Sequence, residues 1–176
     1  MSALPVLSMA VVWLASPAAA AAVEHPVHGS WIVATPRPAL ELRLERAVDA
    51  AAADFGLLVR ELARRKMLGA TTVCGRYAID IAQTVVRFTC DDGTVHPLPR
   101  DGSAYETTNK AGEPVRGTVT VTDGALTVVW RGPAGTRENH FEPVEDALEL
   151  RVTVRSEHMS RPLAWTVDYR QAPASP

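Results

Sequence analysis

VRGTVTVTDGALTVVWRG, residues 115–132, alternates apolar and polar side chains on both sides of Asp123-Gly124. A period of two is the period of a strand, and Asp-Gly between two such runs is the strongest short-range signal of a two-residue hairpin turn. The turn predicts Val121 opposite Leu126, Val119 opposite Val128, and Gly117 opposite Trp130, where a missing side chain leaves room for the indole. Those residues share one face, while Thr118, Thr120, Thr122, Thr127 and Arg131 share the other.

The same period runs on toward the C-terminus. Leu148, Leu150, Val152 and Val154 alternate with Glu149, Arg151, Thr153 and Arg155; Trp165, Val167 and Tyr169 alternate with Thr166, Asp168 and Arg170. Pro133-Ala134-Gly135, Glu145-Asp146 and Ser160-Arg161-Pro162 punctuate the runs as turns. Counting from a first short strand at Trp31-Ile32-Val33, which Pro36 and Pro38 bring to a stop, nine or ten strands follow as an antiparallel meander.

One block departs from this period. Residues 39–68, ALELRLERAVDAAAADFGLLVRELARRKML, place Leu44, Val48, Ala51, Phe55, Leu58 and Leu62 at helical spacing on one face. Gly56 costs a helix interior about 1 kcal/mol relative to Ala. The block is therefore one kinked helix or a helix–turn–helix with its turn at Asp54-Phe55-Gly56. Arg60, Arg64, Arg65 and Lys66 gather at its end. They suit the negative end of a helix dipole, and the same cluster could touch an anionic membrane surface.

A single helical block cannot cover the apolar face of nine or ten strands. The economical solution is closure, which makes the protein mainly β: an antiparallel up-and-down β-barrel with one N-terminal helical insertion. A chain of 176 residues with 47% hydrophobic content fits one such domain, predicted over 23–171, with a frayed tail at 172–176. The net charge of −2, from interspersed acids and bases, argues against nucleic acid as a partner.

Before the barrel, Leu4 to Val23 contains no charged residue, and its apolar core Leu4–Leu14 runs into Ala20-Ala21-Ala22. This is the pattern of a signal peptide, 1–22, with small residues at the cleavage site, although an uncleaved anchor is the rival reading. Either implies export to the periplasm or the extracellular space. In an oxidising compartment the two cysteines, Cys74 and Cys90, are expected to pair. A hairpin of 73–81 with 83–90, centred on Ala82, would set them directly opposite each other; two buried free thiols are the alternative.

The Gly29-Ser30-Trp31 first strand, the helical insertion after it and the meander that follows together resemble the lipocalin and fatty-acid-binding-protein group, the calycins. The helical block before the second strand looks like the lid of a fatty-acid-binding protein. The resemblance spans roughly Gly29 to Arg170 and implies a small apolar ligand enclosed in the barrel, with no catalysis. The last strand reads Val167-Asp168-Tyr169 and so lacks the Arg two residues before the Tyr that forms the carboxylate clamp of the fatty-acid-binding group.

The ligand-facing candidates are the inward strand residues Val119, Val121, Val128, Trp130, Phe141, Val152, Trp165 and Val167, with Phe55 and Leu58 from the lid. Leu126 and Leu150 share their face. Each serves equally well as plain core. A filled barrel acting as an inhibitor or interaction module of the cell envelope is the alternative function, suggested by the polar connection Pro97–Pro114. The five histidines and the carboxylates form no Ser-His-Asp order, paired-carboxylate signature or metal-ligand spacing, so the sequence nominates no catalytic residue, metal or cofactor.

Overall fold

The structure is a computed structural model that describes residues 25–173 except positions 92 and 110. The segment predicted as a signal peptide, 1–22, and the last three positions, 174–176, lie outside the described residues. The order of elements is β1 (Gly29–Val33), α1 (Arg37–Ala52), α2 (Leu57–Ala70), β2 (Arg76–Ile81), β3 (Val85–Thr89), β4 (Val95–Pro99), β5 (Tyr105–Thr108), β6 (Pro114–Val121), β7 (Leu126–Gly132), β8 (Gly135–Val144), β9 (Ala147–Arg155) and β10 (Leu163–Gln171).

All ten strands form one antiparallel sheet in the order β4-β3-β2-β1-β10-β9-β8-β7-β6-β5. Because β1 pairs with both β2 and β10, the first strand joins the two halves of the meander. The sheet then curls until β4 lies against β5 and β6 without a ladder between them. The result is a nearly closed barrel with one seam.

The Asp123-Gly124 hairpin has the register its sequence predicts: Val121↔Leu126, Val119↔Val128 and Gly117↔Trp130. The backbone N–H of Thr122 closes the turn on the carbonyl of Ala125. A Cβ at Gly117 would lie 2.5 Å from the Trp130 ring, so the absence of a side chain is what seats the indole. In β9 and β10, Leu148, Leu150, Val152, Leu163, Trp165, Val167 and Tyr169 are all buried, the alternation expected of strands with one core face.

The helical insertion is a pair of helices rather than one. α1 carries Pro38 in its first turn, where a missing N–H costs nothing. It buries Val48, Ala51 and Ala52 and docks on β10, where Asp168 accepts from Arg43 at 2.9 Å and from the Thr35 hydroxyl at 3.0 Å. Asp54 in the interhelical turn binds Ser160 and Arg161 of the β9–β10 connection, so the lid is tied to the barrel at both ends of α1.

Two expectations need correction. The sequence put Phe55, Leu58 and Leu62 on the same apolar face of the helical block as Leu44, Val48 and Ala51. Because α2 restarts at Gly56, its helical phase is independent of α1. Phe55 packs against the core, while Leu58 is 97% and Leu62 58% exposed. The second concerns the β2–β3 hairpin. It pairs Ile81 with Val86 and turns on Gln83-Thr84, not on Ala82. The cysteines therefore do not face each other within the ladder. They meet beyond its open end, with Cα atoms 5.6 Å apart, and the disulfide is formed there. Asp91 seals the same corner, accepting from the N–H groups of Gly75 and Arg76 at 2.6 Å each.

The connection Pro97–Pro114 is also shorter than a polar loop of that length would be. β4 extends to Pro99, β5 occupies Tyr105–Thr108 and β6 begins at Pro114, so the segment carries a short strand of the barrel wall between two turns.

Candidate functional site

A cavity of about 200 Å³, partly open to solvent, is lined by inward-facing side chains of the barrel. Aromatic and aliphatic side chains form most of its wall: Tyr77, Phe88, Val128, Trp130 and Phe141. Tyr77 meets Phe141 edge-on at 5.4 Å and Tyr169 at 5.5 Å, and Phe88 lies 5.6 Å from Phe141. The disulfide borders the cavity through both Cys74 and Cys90, and Thr72 completes that side.

Three polar side chains interrupt this wall: Arg137, Asn139 and His96. Arg137 and Asn139 belong to β8, in the same parity as Phe141, so the strand that buries Phe141 turns them inward too. The Arg137 Nε donates to Asn139 Oδ1 at 3.0 Å and an Nη donates to the carbonyl of Thr72 at 3.0 Å. Its guanidinium carbon stands 5.5 Å from the centre of the Trp165 ring, within cation–π range.

Among the described residues, no carboxylate forms an ion pair with Arg137. The group is half-buried, and desolvation pulls its pKa below the usual arginine value, partly opposed by nearby Tyr77 and Tyr169. A desolvated cation held only by neutral acceptors is an unfavourable arrangement unless a negative charge joins it. The two tyrosines are pushed the other way. Burial raises the pKa of both above the ordinary phenol value, so each stays neutral and Tyr169 can donate its hydroxyl to the carbonyl of Cys74 at 2.9 Å.

The sequence-predicted ligand residues separate into three groups. Val128, Trp130 and Phe141 are on the cavity wall. Val119, Val152, Trp165 and Val167 are buried in the barrel interior but off that wall, and Val121 is partly buried against the core. Phe55 sits at the interhelical turn and Leu58 in solvent. Sequence reading missed Arg137, Asn139, Tyr77, Phe88 and His96. The signal for the first two was available: residues 137 and 139 share the parity of Phe141 across a strand that otherwise reads as polar.

At the lid, three of the four cations nominated for a membrane surface already have partners. Arg64 binds Asp49 and Glu61, Arg65 binds Glu61, and Arg60 donates to the carbonyl of Ala53. The start of α2 instead presents apolar side chains: Leu57 is 85% exposed, with Leu58, Val59 and Leu62 beside it. Among the described residues, no helix is long and apolar enough to cross a membrane.

No family model matches the sequence, and no curated protein sequence matches it. The fold does match solved structures. A fatty acid transporter, REP1-NXSQ, superposes with a TM-score of 0.53 at 12% identity, over 84% of this chain and 97% of that one. Human cRBP IV gives 0.50 at 12% identity, over 83% and 98%. A fatty acid binding protein of Schistosoma mansoni, in complex with arachidonic acid, gives 0.50 at 12% identity, over 82% and 95%. At such identities the likeness is one of fold, and the fold is that of the fatty-acid-binding-protein type of calycin barrel.

Proposed function

We propose that this protein is an exported, non-enzymatic carrier that holds a small apolar acid inside its barrel, with the acid group on Arg137. The observation that carries this reading is the Arg137 guanidinium: half-buried, facing an aromatic cavity, and lacking a carboxylate partner among the described residues. An anionic head group supplies the missing charge, and charge-assisted bonds to a partly desolvated guanidinium are the stronger kind. The aromatic wall takes the apolar tail. Arg137 thus supplies from β8 the cation that the final strand does not carry.

The cavity limits the cargo. At about 200 Å³ it is below the ~300 Å³ at which drug-sized pockets usually begin. Medium-length acids are favoured over long ones. The disulfide between Cys74 and Cys90 supports export, since such bonds persist in oxidising compartments. The exposed apolar start of α2, together with Lys66, supports transient contact with a membrane surface where cargo would be collected or delivered. In that contact Leu57, Leu58 and Leu62 supply the attraction more than Arg60, Arg64 and Arg65 do.

Native mass spectrometry of the protein purified from a periplasmic fraction, followed by solvent extraction, tests the carrier. The expected result is a bound carboxylic acid of medium length. A protein that enters the periplasm, stays empty and takes up no acid on incubation would instead support the filled-barrel interaction module.

A further inference from the structure

His96 occupies a place that a plain apolar acid leaves unused. It lies on β4, opposite Phe88 of β3, beside the seam where β4 meets β5 and β6 without a ladder. Its ring packs edge-on to Trp130 at 5.3 Å and to Tyr105 at 6.0 Å, and it lines the same cavity as Arg137. The His96 Nδ1 is buried and makes no hydrogen bond among the described residues. Buried polar atoms in native proteins are paired in the great majority of cases, and an orphan inside a cavity points to a partner supplied from outside the chain.

Arg137 reaches the cavity from a different wall. Trp130 leans over Gly117, toward β6 and the seam, and His96 packs on the indole from β4. Arg137 is the residue paired with Trp130 in β8. The two polar groups thus enter one cavity from different strands, β4 and β8.

We infer that His96 is a second polar anchor, and that the cargo is an apolar acid carrying an additional oxygen function, a hydroxyl or keto group, along its chain. This rests on the carrier reading above. The acid group fixes one end on Arg137, and the oxygen on the chain pairs with His96 Nδ1. Imidazole suits the task because either tautomer can be selected, so the ring can donate to a keto oxygen or accept from a hydroxyl.

The test compares decanoic acid with its positional hydroxy-decanoic acids by isothermal titration calorimetry, on the wild-type protein and on the His96→Phe and His96→Gln variants. One hydroxy isomer is expected to bind the wild type roughly 3- to 10-fold more tightly than decanoic acid, the range of one net hydrogen bond. His96→Phe should erase that preference, bringing the ratio of hydroxy-acid to decanoic acid affinity to about one, and His96→Gln should retain part of it. If no isomer outperforms decanoic acid, or the preference survives His96→Phe, the second anchor is wrong and the carrier reading stands. If neither decanoic acid nor any hydroxy isomer binds the wild type, both fall together.

Discussion

Removing the Cys74–Cys90 bond should leave a folded but measurably weaker barrel. The cross-link closes a loop with a sequence separation of 16 residues. In the chain-entropy account such a loop removes about 3 kcal/mol of freedom from the unfolded ensemble at 25 °C. The native side loses little, because Asp91 still holds the N–H groups of Gly75 and Arg76 and Tyr169 still reaches the carbonyl of Cys74. A Cys74→Ala/Cys90→Ala variant, and separately the reduced wild type, should therefore unfold with ΔG lower by about 3 kcal/mol in guanidinium chloride. That loss corresponds to roughly 6–12 °C in Tm for a domain of this size. The m-value should rise as well, since an uncross-linked chain exposes more surface on unfolding. Reducing agent should leave the double-alanine variant unchanged. A loss below about 1 kcal/mol, or an equal response of both proteins to reductant, would refute the view that this bond acts mainly on the unfolded chain.

Three further expectations concern the wall, the buried phenols and the lid. Gly117→Ala places a Cβ 2.5 Å from the Trp130 ring; it should cost about 1–3 kcal/mol by overpacking and shift tryptophan fluorescence, both visible in one thermal melt. Burial raises the pKa of Tyr77 and Tyr169, so above the unfolded-chain value near 10 unfolding releases protons that the folded state retains. Stability should be insensitive to these groups well below pH 10 and fall above it, the slope approaching about 1.4 kcal/mol per pH unit for each tyrosine that stays protonated in the fold; Tyr169→Phe should lessen the fall in Tm measured between pH 9 and 11. Leu58→Asp, at a position 97% exposed, should leave Tm within about 1 °C and weaken co-sedimentation with phosphatidylglycerol vesicles severalfold.

How far the sequence goes depends on how local the determining interaction is. The β6–β7 hairpin is legible because Asp123-Gly124 dictates its own turn, and register follows by counting. The β2–β3 hairpin turns on Gln83-Thr84, which carry no such chemistry. Its register is instead set by Ile79, Val86 and Phe88 finding the core, information that lies in the rest of the barrel. The cysteines pair as expected even though the alignment that predicted them is displaced, since chain ends just beyond a ladder remain within disulfide reach.

The helical block shows the converse. Its apolar spacing is real through Ala51, but a turn at residues 53–56 resets the phase, so Leu58 and Leu62 face solvent. The site was the least legible part. Trp130 and Phe141 announce themselves as inward-facing aromatics, whereas Arg137 and Asn139 read as ordinary polar residues until β8 is placed against β7 and β9. His96 joins them only because the sheet curls, bringing β4 to Trp130 of β7 across the seam. No spacing within the sequence encodes that meeting.

The carrier account turns on whether the barrel prefers a negative head group because of one arginine. Calorimetric titration with decanoic acid and with 1-decanol, on the wild type and on Arg137→Met, measures this directly. The account predicts that the wild type binds the acid at least tenfold more tightly than the alcohol, as expected of hydrogen bonds to a charged donor, and that Arg137→Met abolishes the difference. Equal affinity of the wild type for acid and alcohol, or an acid preference that persists without Arg137, would contradict it.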